Sequence, residues 1–363
     1  MTSNFIAVAG RKALVTGGAA IVATLIAIVL RFGGAGDIAV FVASAVALAT
    51  LASLVGEATD QLGTRLGPGA TGVVQSALGN LPELFISVFA LRAGLVVVVQ
   101  TALIGSILAN SLLVLGLAFA VGGLRHGTQK FGTETTRMTA MLLVLSVASI
   151  AIPTIATAPG APDFGHARDL SIVTAVVLLC VFVTSVPIAI KGNLGPAREE
   201  GKREIGWPLP ASVIVLAAAG VGAAFVSDWF VEALRPAMAS LRLSEEFVGL
   251  VIVAIAGNAV ENVVGITAAA RNESDLAVSL ILNSSLQIAL LLIPVLVLVS
   301  MFLGGPMLTL VASPLLIAAL GLAAILAALI VSDGESNYVE GFALVGLYII
   351  IAGSVWFGPP LSP

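Results

Sequence analysis

The chain has 363 residues, of which 59% are hydrophobic and only 10% charged, with a formal net charge of −4 and a mean hydropathy of +1.12. So few polar residues cannot cover the surface of a soluble domain of this length, and no basic tract suggests a nucleic-acid partner. Apolar runs of about 20 residues recur along the chain, each long enough to cross a bilayer, whereas the alternation typical of a membrane barrel is missing. We therefore expect an all-α, polytopic membrane protein whose surroundings are the lipid bilayer.

Hydropathy and turn signals such as Gly67-Pro68-Gly69 predict eleven transmembrane helices. Arg11 and Lys12 precede the first apolar run without a small-residue cleavage site after it, which favours a membrane helix over a cleaved signal. Cys180, the only cysteine, is expected in the packed core. The predicted helices cover residues 13–32, 37–59, 70–92, 95–121, 136–157, 169–191, 209–229, 245–270, 275–300, 307–331 and 339–357.

Two short motifs place a glutamate in the middle of an apolar segment. GNLPE ends at Glu83 in predicted helix 3, and GNAVE ends at Glu261 in predicted helix 8. The two helices are five spans apart, so they cross the membrane in opposite directions. This predicts two inverted five-helix repeats, with substrate bound near the midplane on interrupted helices. The predicted division is an extra N-terminal helix, a first repeat, a polar linker and a second repeat, at residues 1–35, 36–191, 192–208 and 209–363.

The positive charges predict the orientation of the chain. With the N-terminus inside, eleven of the 16 Lys and Arg residues fall in inner segments and five in outer ones. This asymmetry favours a cytoplasmic N-terminus. Compact loops suggest a prokaryotic inner (plasma) membrane. The five outer residues are Arg31, Arg92, Arg168, Arg235 and Arg242.

A carboxylate at mid-bilayer costs at least about 2.5 kcal/mol unless it is paired, protonated or bound to a cation. Neither Glu83 nor Glu261 has a nearby Lys, Arg or His on its own predicted helix, so we expect an exchangeable counter-ion. Asn80 and Asn258 each lie three residues earlier, on the same helical face, and Gly257 is expected to loosen its helix. Carboxylate and amide oxygens suit a hard cation such as Ca²⁺, whereas zinc or copper sites would use thiolate or imidazole ligands.

Each motif is followed at the same distance by a second polar patch. Ser106 comes 23 residues after Glu83, and Ser284 comes 23 residues after Glu261. The patches also contain Asn110 and Gln287, each within one helical turn of its serine. We predict that these four side chains join the two glutamates and two asparagines in one site.

Two carboxylates also predict a mechanism. When both are ionised and empty, the site carries about two negative charges in a medium of low dielectric constant, which opposes conformational change. One divalent cation or two protons neutralise that charge. Exchange of cation against protons then follows, because both compete for the same oxygens.

The chain resembles the Ca²⁺/H⁺ exchanger (CAX) family of the calcium/cation antiporter superfamily, through residues 56–119 and 241–292, which contain both motifs. The resemblance implies that Glu83 and Glu261 bind the cation or protons and that the chain alternates access by sliding helices 1 and 6 against the rest. It further implies access-path roles for Asp60 and for Glu232, expected just beyond predicted helix 7.

Three features depart from the family pattern: Asn262 in place of a His, NSS in place of a Gly-Ser pair, and a linker of mixed charge. They keep Na⁺ and K⁺ open as alternatives to Ca²⁺. A cation channel is a second alternative, without proton coupling. An intramembrane enzyme is disfavoured because no catalytic arrangement of residues occurs in the predicted spans. We expect no catalytic residue and no cofactor, with Ca²⁺ and H⁺ as transported substrates and the oligomeric state undetermined.

Overall fold

The computed structural model describes residues 2–66, 78–161, 163–190 and 207–357 of the chain. Within these ranges the protein is almost entirely helical. The helices are α1 (Thr2–Phe32), α2 (Asp37–Leu66), α3 (Leu81–Arg92), α4 (Val96–His126), α5 (Thr133–Ala156), α6 (Ala167–Ile190), α7 (Leu209–Leu241), α8 (Glu245–Gly257), α9 (Ala259–Ala270), α10 (Ser274–Ser300), α11 (Pro314–Ile330) and α12 (Tyr338–Trp356). The strands β1 (Gln129–Lys130) and β2 (Glu335–Ser336) form one short antiparallel pair.

The chain is a multi-span membrane protein. Each of the eleven predicted segments overlaps one of these helices, except residues 245–270, which contain both α8 and α9. In the described ranges, eight helices are long and apolar enough to cross a membrane, and the bent pair α8 and α9 provides a ninth. The described α3 has 12 residues and α11 has 17. Both fall short of the roughly 20 residues that a span requires. Helix lengths therefore support the all-α membrane fold without establishing the count of eleven.

Several predicted boundaries are wrong. Helix α1 begins at Thr2 instead of residue 13, and α2 ends at Leu66 instead of residue 59. Helix α7 was expected to end at residue 229, but it continues to Leu241. The charged residues that follow Trp229 are typical of a loop, but in the structure they belong to the last turns of α7. Helix α11 was expected to begin at residue 307, but it begins at Pro314, with the Ser313 hydroxyl accepting a hydrogen bond from the Leu316 amide.

The segment before α11 is non-helical from Leu308 to Ala312, with a bend at Leu310. A non-helical backbone at membrane depth must find hydrogen-bond partners within the protein. Side chains from three neighbouring helices provide them: Gln100 donates to the carbonyls of Thr309 and Val311, Thr154 donates to Leu310, and Ser171 accepts from the Leu310 amide. Apolar composition alone could not distinguish this segment from helix.

Helices α4 and α10 form the centre of the bundle, and α1 and α6 lie at its edge. In the most apolar part of α4, 83% of residues are buried, against 17% for α1 and α6. Cys180 of α6 is consequently exposed, and its expected core position is wrong. Because lipid is as apolar as a protein core, hydropathy cannot tell these two environments apart.

Glycines bring α8 into backbone contact with α4. A Cβ on Gly105 would lie 2.3 Å from the Leu250 carbonyl oxygen, and one on Gly249 would lie 2.5 Å from that of Val98. Small residues allow such close approach of membrane helices. This contact holds α8, the helix that precedes the second motif, against the central helix α4.

Three connecting loops pack together at one end of the bundle. Lys130 forms an ion pair with Glu335 at 2.9 Å, which raises the pKa of this lysine. The side-chain carbonyl oxygen of Gln129 accepts a hydrogen bond from Ser274 at 2.7 Å, and the His126 ring contacts the Ala270 carbonyl. The loops after α4, α9 and α11 therefore share one side, as the predicted alternation of spans requires.

Candidate functional site: two glutamates between inverted elements

Both motifs interrupt a helix at the asparagine. Asn80 has φ −90° and ψ 15°, and Asn258 has φ −100° and ψ 18°, so both leave the helical conformation in the same way. Glu83 and Glu261 then lie in the first turns of α3 and α9. At Asn258 the chain bends by 64° between α8 and α9, where sequence predicted one helix loosened at Gly257. The free amides at a helix N-terminus favour a negative charge or an anionic side chain there.

Glu83 is held by side chains from both halves of the chain. Its Oε1 accepts from Ser106 Oγ at 2.9 Å and from Asn258 Nδ2 at 2.6 Å. The same Asn258 amide lies 2.8 Å from Ser106 Oγ. All three residues are buried, with 8% of Glu83 exposed. The predicted meeting of α3, α4 and the second motif is observed in this arrangement.

Glu261 occupies the equivalent position with fewer contacts. It is partly buried, and within the described ranges its carboxylate makes no hydrogen bond with another side chain. The two carboxyl groups are close enough for the charge of Glu261 to act on Glu83. The three ion pairs found among described residues involve neither of them.

The second polar patches meet where α4 crosses α10. Asn110 Nδ2 donates to Ser284 Oγ at 3.0 Å, and both side chains are buried. Gln287 lies one turn further along α10, is only partly buried and does not take part in the described hydrogen-bonded network. Three of the four predicted patch residues, Ser106, Asn110 and Ser284, therefore form hydrogen bonds with other predicted site residues. In the described structure Gln287 does not.

Two polar atoms of the motif asparagines lack partners in the described part of the structure. They are Nδ2 of Asn80 and Oδ1 of Asn258, both in residues less than 9% exposed. Burial of an unpaired amide group costs about 1–3 kcal/mol. Such atoms beside two carboxylates are suited to contact a substrate, with Asn258 Oδ1 as a cation ligand.

A glycine permits the contact between the halves. A Cβ on Gly257 would lie 2.7 Å from Cγ of Glu83, closer than side-chain atoms approach. Any larger residue would therefore displace either Glu83 or the end of α8. The sequence suggested that Gly257 loosens the helix; the structure adds that it makes room for the opposite glutamate.

Sequence reasoning missed two features of the site. Helices α4 and α10 both become π-helical at the polar patch, over Ala109–Val114, which includes Asn110, and over Ile288–Leu292, which begins directly after Gln287. Such wider turns are frequent at functional sites, but no residue type specifies them. The second missed feature is a buried contact between Ser111 and Ser285 at 3.3 Å, beside the Asn110–Ser284 pair. The available signal was their position in the sequence, because Ser111 directly follows Asn110 and Ser285 directly follows Ser284.

The two residues expected along an access path, Asp60 and Glu232, both belong to helices. Asp60 belongs to α2, but its side chain is outside the described part of the structure. Glu232 lies within α7, not in a loop beyond it, because α7 is longer than expected. It is exposed and forms an ion pair with Arg31 at the end of α1. This pair joins α1 to α7, and the access-path role of both acids stays a prediction.

The chemistry of the site is that of an oxygen-rich cation site. Among the described residues, no three His, Cys, Asp or Glu side chains cluster together. Two carboxylates, amide groups and serine hydroxyls are the neighbours available to a ligand. Hard cations bind such oxygens, and protons can replace them on the carboxylates.

Known proteins resemble the chain over nearly its whole length. The family model described as sodium/calcium exchanger protein matches residues 36–191 and 211–357. A Ca²⁺/H⁺ antiporter of Synechocystis sp. is 34% identical, covering 90% of this chain and 93% of its own. The Ca²⁺/H⁺ antiporter ChaA of Bacillus subtilis is also 34% identical, with 86% and 90% covered. The solved structure of native YfkE has a TM-score of 0.80 at 31% identity and covers 94% of this chain and 99% of its own.

Proposed function

Because the chain belongs to the sodium/calcium exchanger protein family, we propose that it is a secondary antiporter that exchanges Ca²⁺ for protons across a membrane. The observation that carries the proposal is the meeting of Glu83 with Asn258 and Ser106, beside Glu261. Relatives whose names state Ca²⁺/H⁺ antiport support the choice of substrates.

The charge of the site provides the coupling. Two ionised carboxylates repel each other in a medium of low dielectric constant, so the empty site opposes the rearrangement that opens it to the other side. Ca²⁺ neutralises both carboxylates at once, and two protons do the same. Only the loaded forms then interconvert, and each turnover exchanges one substrate for the other. In this mechanism Glu83 and Glu261 bind both substrates, and Asn258 Oδ1 and the hydroxyl oxygens complete the Ca²⁺ coordination.

The asparagines and serines have supporting roles. Asn258 and Ser106 donate to Glu83 when it is a carboxylate, which stabilises the deprotonated form that Ca²⁺ needs. Asn80, Asn110, Ser284 and Gln287 are the remaining proposed contacts. The same oxygens suit Na⁺ or K⁺, so a monovalent cation/H⁺ antiporter on this fold is the alternative.

The division of the chain and its orientation are parts of the same proposal. The family model matches two blocks that lie on either side of residues 192–210, which supports two repeats and a linker. Most of that linker, residues 191–206, lies outside the described residues. The charge asymmetry supports a cytoplasmic N-terminus, and the bacterial relatives support the plasma membrane.

Transport into proteoliposomes tests the proposal. We expect Ca²⁺ uptake when the lumen is acidic, its collapse on addition of a protonophore, and its loss in Glu83→Gln. Asp169→Asn, an exposed acid at the start of α6, is the matched control and retains uptake. Movement of Na⁺ or K⁺ without Ca²⁺ would establish the alternative substrate. Ca²⁺ entry that ignores both the pH gradient and Glu83→Gln would reject exchange through this site.

A further inference from the structure

A second cavity lies outside the cation site, between α3 and α7. It is an open groove of about 690 Å³, within the roughly 300–1,000 Å³ range of small-molecule sites. Apart from one acid, Asp228, all the side chains that line it are apolar. Helix α3 contributes Leu81, Phe85 and Phe89, and α7 contributes residues from Val213 to Asp228.

The groove spans much of one side of the membrane-embedded bundle. Val213 and Asp228 are 15 residues apart on α7, or about 22 Å along a helix that rises 1.5 Å per residue. The Asp228 end lies at the membrane–water interface. Next to it, Trp229 packs edge-on against Phe32, and one turn later Glu232 forms its ion pair with Arg31. Aromatic rings and charged side chains of this kind mark the boundary of the hydrocarbon layer.

The lining excludes an ion path and suits a hydrocarbon chain. Phenylalanine, leucine and valine side chains cannot replace the water around an ion, so an ion would pay the full cost of dehydration in this groove. An acyl chain meets no such cost. Because lipid surrounds this face of the bundle, hydrocarbon chains reach the groove directly.

The mouth of the groove carries charges of both signs. Asp228 is exposed there. Arg92 ends α3 one turn beyond Phe89 and is also exposed. Arg235 of α7 reaches the end of α3 and donates to the Ala93 carbonyl at 3.0 Å. This end of the groove therefore has a carboxylate on its lining and two guanidinium groups at the adjoining ends of α3 and α7, charges that complement a headgroup with an amine and a phosphate.

We propose that this groove binds a phospholipid with a primary-amine headgroup, of the phosphatidylethanolamine class. The acyl chain lies between α3 and α7, the amine contacts Asp228, and the phosphate lies between Arg92 and Arg235. The inner end of the chain reaches Leu81, next to Asn80 and two residues before Glu83. The bound lipid therefore sets how closely α7 approaches the helix that carries one of the two glutamates.

Photo-crosslinking tests the binding directly and does not depend on transport. The detergent-purified chain is incubated with phosphatidylethanolamine that carries a photoreactive acyl chain, and the labelled peptides are identified by mass spectrometry. We expect labelling concentrated in the peptides that contain Phe85 and Phe225. Unlabelled phosphatidylethanolamine should compete several-fold better than phosphatidylglycerol. Asp228→Asn should remove that preference, and the matched control Asp169→Asn should keep it.

A second pair of variants tests the groove without altering its charge. Ala217 lines the groove, and its neighbour Ala218 is exposed without lining it. Ala217→Trp should fill the cavity and reduce labelling several-fold, whereas Ala218→Trp should not. Labelling spread evenly over the lipid-exposed helices, or unchanged by Ala217→Trp, would overturn the site. Equal competition by the two lipids in the unaltered chain would overturn the headgroup assignment.

Discussion

The two glutamates have nearly the same sequence context and different surroundings. Glu83 is enclosed and accepts hydrogen bonds from Ser106 and from Asn258 of the opposite half. Glu261 is more exposed and accepts none from a described side chain, while Ser284, the counterpart of Ser106, bonds to Asn110 instead. The equivalent amide of Asn80 is unpaired in the described structure. One half of the site is thus assembled and the other is open.

This difference is what an inverted repeat should show in any single state. If both halves had the same conformation, the site would be equally accessible from both sides of the membrane. Alternating access requires that one half adopt the enclosed arrangement while the other adopts the open one. We therefore expect the asymmetry between Glu83 and Glu261 to be the structural basis of exchange. The following changes test this expectation.

Neutralising either glutamate should have the largest effect. Glu83→Gln and Glu261→Gln each leave one carboxylate, which cannot balance the two charges of Ca²⁺. We expect both variants to lower proton-driven Ca²⁺ uptake to the level of protein-free liposomes, despite their different surroundings. Uptake near the unaltered rate in Glu261→Gln would show that the open half does not bind the substrate.

Filling the space at Gly257 should come next. In Gly257→Ala the new Cβ would overlap Cγ of Glu83, so the carboxylate must move. A displacement of about 1 Å at a reacting group can cost on the order of 100-fold, and we expect a loss of about 10- to 100-fold in uptake. Gly346→Ala on α12, where a Cβ meets nothing within 4 Å, is the control and should transport normally. Equal rates in the two variants would contradict the enclosed geometry of Glu83.

Much of this site could be predicted from the sequence because its chemistry is unusual for a membrane. Acids and amides are rare in apolar segments, so Glu83, Asn258 and their repeats stood out, and the equal spacing to Ser106 and Ser284 predicted which helices meet. The difference between the halves could not be predicted. It depends on which state the bundle adopts, and both halves carry almost the same motif.

Boundaries and surfaces were harder to predict for a different reason. The non-helical chain before Pro314 is as apolar as a helix, and its hydrogen-bond partners come from Gln100 and Thr154, distant in sequence. Lipid also accepts the apolar residues that a core would, which is why Cys180 was misplaced. The π-helical turns leave no trace in residue type. Each of these features is set by tertiary packing.

The hydrogen bonds to Glu83 should be measurable as stability. Asn258→Ala removes three buried hydrogen-bond contacts, to Glu83, Ser106 and the Ala254 carbonyl, whereas Asn80→Ala removes an amide that has no partner on Nδ2 in the described structure. We expect Asn258→Ala to be less stable than Asn80→Ala by about 1–3 kcal/mol, the cost of unmaking buried polar contacts. Thermal unfolding in detergent without Ca²⁺ measures this difference. Equal melting temperatures would imply that both asparagines are paired alike and that the asymmetry is absent.

The smallest expected effect separates the predicted serine from its neighbour. Ser284 accepts from Asn110, while Ser285 contacts Ser111 and donates to the Ile281 carbonyl of its own helix. Ser284→Ala should lower the apparent affinity for Ca²⁺ in proteoliposomes by several-fold, because it alters the polar patch that follows the open half of the site. Ser285→Ala should leave that affinity within about twofold, because no substrate contact is lost. The loss of one neutral hydrogen bond should lower only the stability, by about 0.5–1.5 kcal/mol. A larger loss of affinity in Ser285→Ala than in Ser284→Ala would move the site one residue along α10, toward the Ser111 pair.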